Sequence, residues 1–269
     1  MASEAPLVEL RGVSKSFGKG YALQGINLRV GRPEIVGLVG DNGAGKSTMI
    51  RIISGATTPT SGEIYIKGQR LTHWSTARAR LLGIETVYQD RALAEQQTIA
   101  RNIFMGREIT GLFGRLRLKR ENEEAERLMR DIGFTSRVFA PDSIVGNLSG
   151  GEKQGVAIAR ALYYKAELII LDEPTNALSL TEVNKVLGFI RRIKEQGGSA
   201  IFITHNIYHA HDVADRLVIL DRGRITIDIP KSYLTAEQLV EEMHAVARTG
   251  VFNLGRYRNT APAQGVVQP

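Results

Sequence analysis

The sequence predicts an α/β fold in which a helical lobe is inserted into a core built on a parallel sheet. Short apolar runs rich in β-branched residues occupy the first 90 residues and return after residue 165. The later runs alternate with helical stretches, a pattern typical of a parallel sheet covered by helices. Between the two groups of strands the sequence is charged and mostly helical in pattern. These three observations place the inserted lobe at residues 90–164.

The core is predicted to comprise residues 1–89 and 165–230. Four short strands, LVELRGV, ALQGINLRV, EIVGLV and GEIYIKG, precede the lobe, and a helix is expected to begin at Lys46. IETVYQ, residues 84–89, is a further predicted strand. After the lobe the predicted strands are ELIILD, GSAIFITH and DRLVILD, and the predicted helices cover residues 181–196 and 206–215.

Residues 231–269 are predicted to form a separate C-terminal part. One helix is expected over residues 235–248. The chain then ends in APAQGVVQP, which is so poor in apolar residues that this tail is not expected to fold. The sequence shows no internal repeat.

Composition excludes several classes of protein. The 269 residues are 43% hydrophobic, which is enough for a large core, and the chain has no cysteine, so disulfides and thiolate metal sites are excluded and a reducing compartment such as the cytoplasm is favoured. No run approaches the ~18 apolar residues of a membrane span, and the acidic start MASEAPLVEL is unlike a signal peptide. The net charge of +7 comes partly from clusters such as RLRLKR at residues 115–120. Such a cluster can face nucleic acid or anionic lipid, but a solvated helix face is the commoner reading.

A glycine-rich loop, GDNGAGKST, follows the predicted strand EIVGLV and precedes the helix at Lys46. Its glycines let successive backbone N–H groups turn inward as an anion nest, and the helix adds its positive dipole end. Lys46 is suited to the β- and γ-phosphates, Ser47 to Mg²⁺ and Thr48 to the α-phosphate. The predicted nucleotide-binding residues here are Gly40, Asp41, Asn42, Gly43, Ala44, Gly45, Lys46, Ser47 and Thr48.

Several polar side chains are expected at the same edge of the sheet as Lys46, because each follows directly on a predicted strand. Asp172 and Glu173 end LIILDE, Gln89 ends IETVYQ and His205 ends AIFITH. We assign Asp172 to Mg²⁺ and Glu173 to the base that orients and deprotonates an attacking water. Asp172 and Glu173 alone could equally well be a helix cap, and Gln89 or His205 alone is more often structural. Four strand ends converging on one edge favour a catalytic site instead. The predicted catalytic residues are Glu173, His205, Gln89 and Lys46, and the predicted metal ligands are Ser47, Gln89 and Asp172.

A second anion nest is predicted at NLSGGEKQGVAIARAL, where Ser149, Gly150 and Gly151 immediately precede an apolar helix. This nest has neither a lysine nor acids of its own at the matching positions. It is therefore suited to complete the first loop of a neighbouring molecule, and such an arrangement implies a symmetric homodimer with two shared sites.

Residues 7–229 resemble the ATP-binding cassette subunit of an ABC transporter. The resemblance rests on motifs in matching order and spacing: GDNGAGKST as Walker A, Gln89 as the Q-loop, LSGGE as the signature, LIILDE as Walker B and His205 as the switch histidine. It implies a P-loop NTPase (RecA-like) core with an antiparallel β subdomain and an inserted α-helical subdomain, acting on ATP with Mg²⁺. It further implies that Phe17 in VSKSFG stacks on adenine, with Tyr21 as a second candidate and a core position as the rival reading. Ser149, Gly150 and Gly151 would clasp the γ-phosphate bound to the partner subunit.

Two positions depart from the family pattern. The signature glutamine is replaced by Glu152, and the D-loop reads NALS, with Ser179 where an aspartate is usual. The first change is mild if Ser149 and the backbone dominate binding. The second predicts weaker coupling between the two shared sites, while hydrolysis should survive because Glu173 and His205 are both present.

A finer resemblance concerns residues 83–108, which are similar to the monosaccharide-importer branch of bacterial ABC ATPases. It implies import of a small solute, a homodimer, integral membrane permease subunits as partners and, indirectly, a periplasmic or extracellular sugar-binding protein. The subunit would be peripheral, on the cytoplasmic face of the bacterial inner membrane, and no nucleic-acid partner is expected. The alternatives are a soluble ABC ATPase acting on nucleic acid or the ribosome, and the ATPase of an exporter. A nucleotide sensor without hydrolysis is disfavoured by the intact Glu173, Gln89 and His205.

Overall fold

Two β-sheets and eight helices form the described part of the computed structural model, which covers residues 5–90, 92–133, 140–164, 166–253 and 255. The strands are β1 Val8–Phe17, β2 Gly20–Val30, β3 Ile35–Val39, β4 Ser61–Ile66, β5 Gln69–Arg70, β6 Ile84–Val87, β7 Leu168–Asp172, β8 Ser199–Thr204, β9 Arg216–Asp221 and β10 Arg224–Pro230. The helices are α1 Lys46–Ile53, α2 Thr76–Leu81, α3 Ile99–Phe104, α4 Leu118–Asp131, α5 Gly150–Tyr163, α6 Leu180–Glu195, α7 Ile207–Val213 and α8 Ala236–Thr249.

The larger sheet has the strand order β10-β9-β3-β8-β7-β6. Strands β9, β3, β8, β7 and β6 run parallel, and β10 pairs antiparallel with β9 at one edge. Strands β3 and β8 are buried along their whole length, as their continuous apolar runs require of parallel strands covered on both faces. The carboxyl ends of β3, β8, β7 and β6 consequently lie along one edge, and the loop after β3 opens there.

The smaller sheet has the order β2-β1-β4-β5 and is antiparallel throughout. Its longest pairing joins Val8 to Val30 at one end and Phe17 to Gly20 at the other. Leu10 and Ile26 of this sheet share a hydrophobic cluster with Leu38 and Ile170 of the larger sheet. The β1–β2 hairpin is therefore fixed against the core next to the loop that follows β3.

Helices α3, α4 and α5 lie within residues 90–164, the range predicted for the inserted lobe. They pack through a common apolar interior to which Phe104, Met129 and Ile158 contribute, and the ring of Tyr163 meets that of Phe104 edge-on, 4.6 Å between centroids. The lobe also contains an exposed turn between Thr110 and Leu116, which are joined by an antiparallel bridge. The domain boundaries themselves remain a prediction.

The structure differs from the predicted elements in a few places. Helix α2 is not among the predicted helices, because TARARL lacks an apolar periodicity. The RLRLKR cluster is exposed throughout, but it spans the end of the lobe's turn and only the first residues of α4, so it is not simply one helix face. Helix α8 lies within one residue of the predicted bounds. The tail at residues 261–269 lies outside the described residues. Among the helices that the structure describes, none combines the length and apolarity needed to cross a bilayer.

Candidate functional site

The loop between β3 and α1 is built so closely against its neighbours that it requires glycine. Gly45, which precedes α1, has a φ of 109°, and a Cβ there would lie 2.6 Å from the carbonyl oxygen of Ala22. A Cβ on Gly40 would lie 2.3 Å from the carbonyl oxygen of Leu220. Because neither backbone oxygen can move freely, only glycine fits at these two positions. The loop is thus held between β2 and β9, at the start of an eight-residue helix.

Lys46 is the first residue of α1, and its side chain is directed into this loop. Its Nζ donates hydrogen bonds to the carbonyl oxygens of Gly40, at 2.5 Å, and Asp41, at 3.1 Å. The same Nζ lies 4.0 Å from Oε1 of Glu173, and the side chain is only 8% exposed. A nearly buried ammonium is therefore positioned between the loop and the acidic end of β7.

A cleft of about 210 Å³ lies at this edge of the sheet. It brings together residues from the loop, from α1, from the segment after β6 and from the end of β7. Its lining residues are Ala22, Asp41, Asn42, Gly43, Gly45, Lys46, Ser47, Thr48, Gln89, Asp172 and Glu173. The structure thus assembles most of the predicted nucleotide, metal and catalytic residues in one place, and Ala22 is a lining residue that the sequence did not indicate.

Asp172 is the last residue of β7 and faces this cleft. Burial, together with the neighbouring Glu173 carboxylate, raises the pKa of Asp172 to about 6. A divalent cation beside it would supply the positive charge that favours its ionised form. The hydroxyl of Ser47 and the amide of Gln89 line the same cleft, and oxygen donors are the ligands Mg²⁺ prefers.

These oxygen donors fit a cation that takes some of its ligands from the protein and the others from a bound nucleotide. Within the described ranges, no group of three or more histidine, aspartate or glutamate side chains is arranged to hold a metal ion by itself. Mg²⁺ commonly binds through one or two carboxylates, and phosphate and water oxygens complete its ligands. Ser47, Gln89 and Asp172 match that mode.

Glu173 has a strained backbone conformation, and its side chain contacts two other candidate catalytic residues. Its φ is 47°, a left-handed value that is unfavourable for a residue with a Cβ. Its backbone N–H still donates to the carbonyl of Ile203 at 3.0 Å, and its Oε2 lies 3.0 Å from Nδ1 of His205. The Glu173 side chain is 10% exposed, whereas that of His205 is 58% exposed. Glu173 therefore joins the buried ammonium of Lys46 to an imidazole that opens to solvent.

The tip of the β1–β2 hairpin carries both candidates for contact with adenine. Phe17 and Tyr21 are 59% and 62% exposed, which rules out a core position for either. Ala22, next to Tyr21, lines the cleft, and the ammonium of Lys15 lies 5.2 Å from the centroid of the Phe17 ring. Stacking of Phe17 on adenine remains a prediction.

The segment predicted to form the second anion nest lies at the start of α5 and does not line the cleft. Ser149 caps the helix: its hydroxyl accepts from the N–H of Glu152, and its own N–H donates to the Glu152 carboxylate at 2.7 Å. Ser149 and Gly150 are exposed, whereas Gly151 is buried. None of the three is among the residues that line the cleft of the same chain.

A larger recess of about 960 Å³ lies elsewhere, between the start of β1 and the edge of the parallel sheet. Its charged groups already pair with one another. Glu9 lies 2.7 Å from Arg11, and Arg216 lies 2.7 Å from Glu34 and 2.6 Å from Asp228. This mutual neutralisation makes the recess a poorer anion site than the smaller cleft.

Comparison with known proteins decides the family. A sequence profile described as ABC transporter matches residues 23–176. The chain is 44% identical to the xylose/arabinose import ATP-binding protein XylG of Sulfolobus acidocaldarius, over 94% of this chain and 99% of that protein. The chain belongs to the ABC transporter family. The predicted resemblance is confirmed.

Other relatives of the ABC family have similar names. The fructose import ATP-binding protein FrcA of Rhizobium meliloti is 39% identical, over 88% of this chain and 93% of that protein. The ribose import ATP-binding protein RbsA of Yersinia pestis is 36% identical over 94% of this chain, and the chain spans only about half of that relative, 49%.

Among solved structures, the dimeric ATP-binding cassette MJ0796 bound to ADP and Pi is similar with a TM-score of 0.73. It is 27% identical, and the match covers 83% of this chain and 98% of MJ0796. A nucleotide-free cassette from an ABC transporter, at 21% identity, shares the fold with a TM-score of 0.75, over 93% of this chain and 98% of that one. These likenesses and the two observed sheets confirm the predicted P-loop NTPase fold with its antiparallel β subdomain and helical insertion.

Both departures from the ABC motifs are helix-capping residues. Glu152 forms the capping box of α5 with Ser149, and Ser179 forms the capping box of α6 with Glu182. Glu182 is not among the residues that the sequence singled out, although the spacing of Ser179 and Glu182 in SLTE is itself a capping-box pattern.

Proposed function

We propose that this chain is the ATP-hydrolysing subunit of an importer for a small solute, a monosaccharide, and that two copies work together beneath a membrane permease. The observation that carries the ATPase is the cleft in which Lys46, Asp172 and Glu173 converge beside the glycine loop. A phosphate-binding loop alone would serve a nucleotide sensor equally well. A nearly buried carboxylate bonded to His205 is what a hydrolytic site requires in addition.

Each residue of the cleft has a distinct task in this proposal. The loop N–H groups and Lys46 bind the phosphates, and Ser47, Gln89 and Asp172 hold Mg²⁺. A Mg²⁺ ion held by these residues would supply positive charge that offsets the charge of the phosphates. Glu173 orients the attacking water and accepts its proton at the carboxylate, while His205 holds that carboxylate in place through the 3.0 Å contact.

The homodimer is proposed because the two anion nests are complementary and lie apart within one chain. The start of α5 presents the hydroxyl of Ser149 and the backbone of Gly150 at the surface, and neither lines the chain's own cleft. A second copy can bring these donors to the terminal phosphate, and each copy then completes the site of the other. The dimeric form of MJ0796 with ADP and Pi supports this reading.

The transported solute is proposed from the relatives named for import of xylose and arabinose, fructose and ribose. By analogy with these import proteins, the partners are permease subunits that span the membrane and, indirectly, an external sugar-binding protein. The chain itself would sit peripherally at the cytoplasmic face of the cell membrane.

Glutamine in place of Glu173 tests the catalytic assignment. Glu173→Gln keeps the size of the side chain but cannot accept the proton, so MgATP should bind while hydrolysis is nearly lost. The closed form should then accumulate as a dimer, seen by analytical ultracentrifugation only when MgATP is present. Glu237→Gln, an exposed carboxylate change on α8, serves as the control with normal turnover. Normal turnover by Glu173→Gln would refute the assigned base, and a monomer at saturating MgATP would refute the shared site.

The import assignment is tested separately. A strain lacking the gene should lose uptake of one or more labelled pentoses or hexoses, and the unaltered gene should restore uptake while Glu173→Gln should not. Unchanged sugar uptake in the strain without the gene would refute a role in monosaccharide import and leave the ATPase assignment standing.

A further inference from the structure

The carboxylate of Glu182, in the first turn of α6, bridges two segments that are about thirty residues apart in sequence. Its Oε2 accepts hydrogen bonds from the Ser179 N–H at 3.0 Å and from the Ser179 hydroxyl at 2.9 Å. Its Oε1 points the other way and accepts from the hydroxyl of Ser149 at 3.2 Å. One side chain thus ties the D-loop to the start of α5.

Gly151 shows how closely the carboxylate is seated on the second anion nest. A Cβ on Gly151 would lie 2.1 Å from Oε1 of Glu182, so the contact exists only because this residue is glycine. Hydrogen bonds from the Ser179 backbone, the Ser179 and Ser149 hydroxyls and the Gly151 backbone hold the pKa of Glu182 below its usual value, against the opposing effect of burial. The group at the nest is therefore an anion at neutral pH.

A carboxylate and a terminal phosphate compete for donors of this kind. Both are anions, and both are recognised by hydroxyl and N–H groups at a helix N-terminus. The Ser149 hydroxyl carries one proton and can donate it to a single acceptor at a time. When a phosphate enters the nest, Glu182 must release that donor, and the two negative charges repel each other if the carboxylate stays.

We propose that Glu182 occupies the phosphate donors of the second anion nest in the free subunit and must withdraw from them when the partner's ATP arrives. It is a positioning residue that sets the ATP concentration at which the dimer closes. This inference rests on the proposed shared site. It adds that the Glu182 carboxylate, on the chain that supplies the donors, competes with the partner's terminal phosphate for them.

An alternative is that Glu182 only stabilises α6. It completes a capping box with Ser179. Thr235 and Gln238 form the same kind of box at the start of α8, and neither of them lines the cleft. A cap alone affects thermal stability and leaves the ATP requirement for closure unchanged. The ATP concentration at half-closure therefore separates the two roles.

The experiment uses the full chain carrying Glu173→Gln, in which closure is not reversed by hydrolysis. MgATP is titrated and the dimer fraction is followed by analytical ultracentrifugation. Adding Glu182→Gln should lower the ATP concentration at half-dimerisation roughly three- to tenfold, because a neutral amide competes less well than a charged acceptor. In the chain with Glu173 intact, the same substitution should lower KM for ATP without a proportional loss of kcat.

Two further variants identify the cause. Glu182→Asp keeps the charge and can still reach Ser179, but it is one methylene too short to bridge to Ser149, so it should lower the half-dimerisation concentration as Glu182→Gln does. Glu237→Gln removes one exposed charge from the start of α8 and should leave the half-dimerisation concentration unchanged. The melting temperature of each variant shows that it is folded.

The outcomes distinguish this inference from the proposed function. If Glu173→Gln alone forms no dimer at any MgATP concentration, the shared site fails and the competitor fails with it. If it dimerises and Glu182→Gln leaves the half-dimerisation concentration unchanged or raises it, only the role of Glu182 is refuted. If Glu182→Asp behaves like the unaltered chain while Glu182→Gln does not, net charge rather than the bridge is responsible, and the inference is overturned.

Discussion

Alanine substitutions at three glycines of the phosphate loop separate two physical reasons for glycine. Gly43 has a φ of 85°, and a Cβ there would meet no described residue within 4 Å other than its chain neighbours. Gly43→Ala should therefore cost only the penalty of a left-handed backbone conformation, about 1–2 kcal/mol. At Gly40 a Cβ would lie 2.3 Å from a backbone oxygen, so Gly40→Ala should cost the ~1–3 kcal/mol typical of overpacking. Gly45 combines a φ of 109° with a 2.6 Å approach, and Gly45→Ala should cost about 2–5 kcal/mol.

Thermal unfolding measures the difference. At roughly 2–4 °C per kcal/mol for a chain of this size, Gly43→Ala should lower the melting temperature by about 2–8 °C and Gly45→Ala by about 4–20 °C. Trp74 is the only tryptophan, and its indole N–H donates to the Ile52 carbonyl in α1 at 2.6 Å, so its fluorescence follows the helix after the loop. Circular dichroism follows the whole fold. If Gly45→Ala has the same melting temperature as Gly43→Ala, the close approach of the Ala22 carbonyl to Gly45 does not constrain the loop, and the steric argument is wrong.

Four further substitutions test the cleft and the residues beside it. Asp172→Asn should raise the melting temperature at pH 8 in the absence of divalent cations, and this gain should disappear below about pH 4. The reason is that a carboxyl group whose pKa is raised in the folded state destabilises the fold only at a pH where it must ionise. A gain in melting temperature that does not depend on pH would contradict this. Phe17→Ala should weaken ATP binding, measured by calorimetry, roughly tenfold, which is the effect expected when one aromatic–base stacking contact is lost. Tyr21→Ala should weaken binding less. If Tyr21→Ala has the larger effect, Tyr21 is the residue that contacts adenine. His205→Ala should reduce kcat about 10²-fold with little change in ATP affinity, and an unchanged kcat would show that Glu173 needs no such support.

The parallel sheet was largely predictable because its strands are buried on both faces. A strand of that kind must be apolar along its length, so EIVGLV, ELIILD and AIFIT stand out from the charged sequence around them. The site residues were predictable for a related reason: each follows directly on one of these strands, and parallel strands end at a common edge. The structure accordingly places Gln89, Asp172 and Glu173 in one cleft.

Other features depend on contacts that spacing does not encode. The left-handed φ of Glu173 is imposed by its neighbours and has no signal in the sequence. Ala22 lines the cleft only because the β1–β2 hairpin packs against the phosphate loop. The bridge from Glu182 to Ser149 depends on the starts of α5 and α6 meeting in the folded chain. Capping patterns indicate where each helix begins, but not that the two beginnings touch.

The hydrogen bond between Ser179 and Glu182 explains why a serine suits this position better than the usual aspartate. The Ser179 hydroxyl donates to the Glu182 carboxylate at 2.9 Å, and an ionised aspartate at that position has no proton to donate. It would instead place a second negative charge beside Glu182. The serine and the position of the glutamate are therefore linked.

An aspartate in place of Ser179 should therefore break the hydrogen bond between Glu182 and Ser149. Ser179→Asp can still cap α6, so the fold should be retained, but the repulsion should drive Glu182 away from Ser149. In the Glu173→Gln chain, Ser179→Asp should then lower the ATP concentration at half-dimerisation as Glu182→Gln does, and the double change should add little to either alone because both remove the same contact. Additive effects of the two substitutions would show that the serine and the glutamate act independently, and the link argued from their hydrogen bond would not hold.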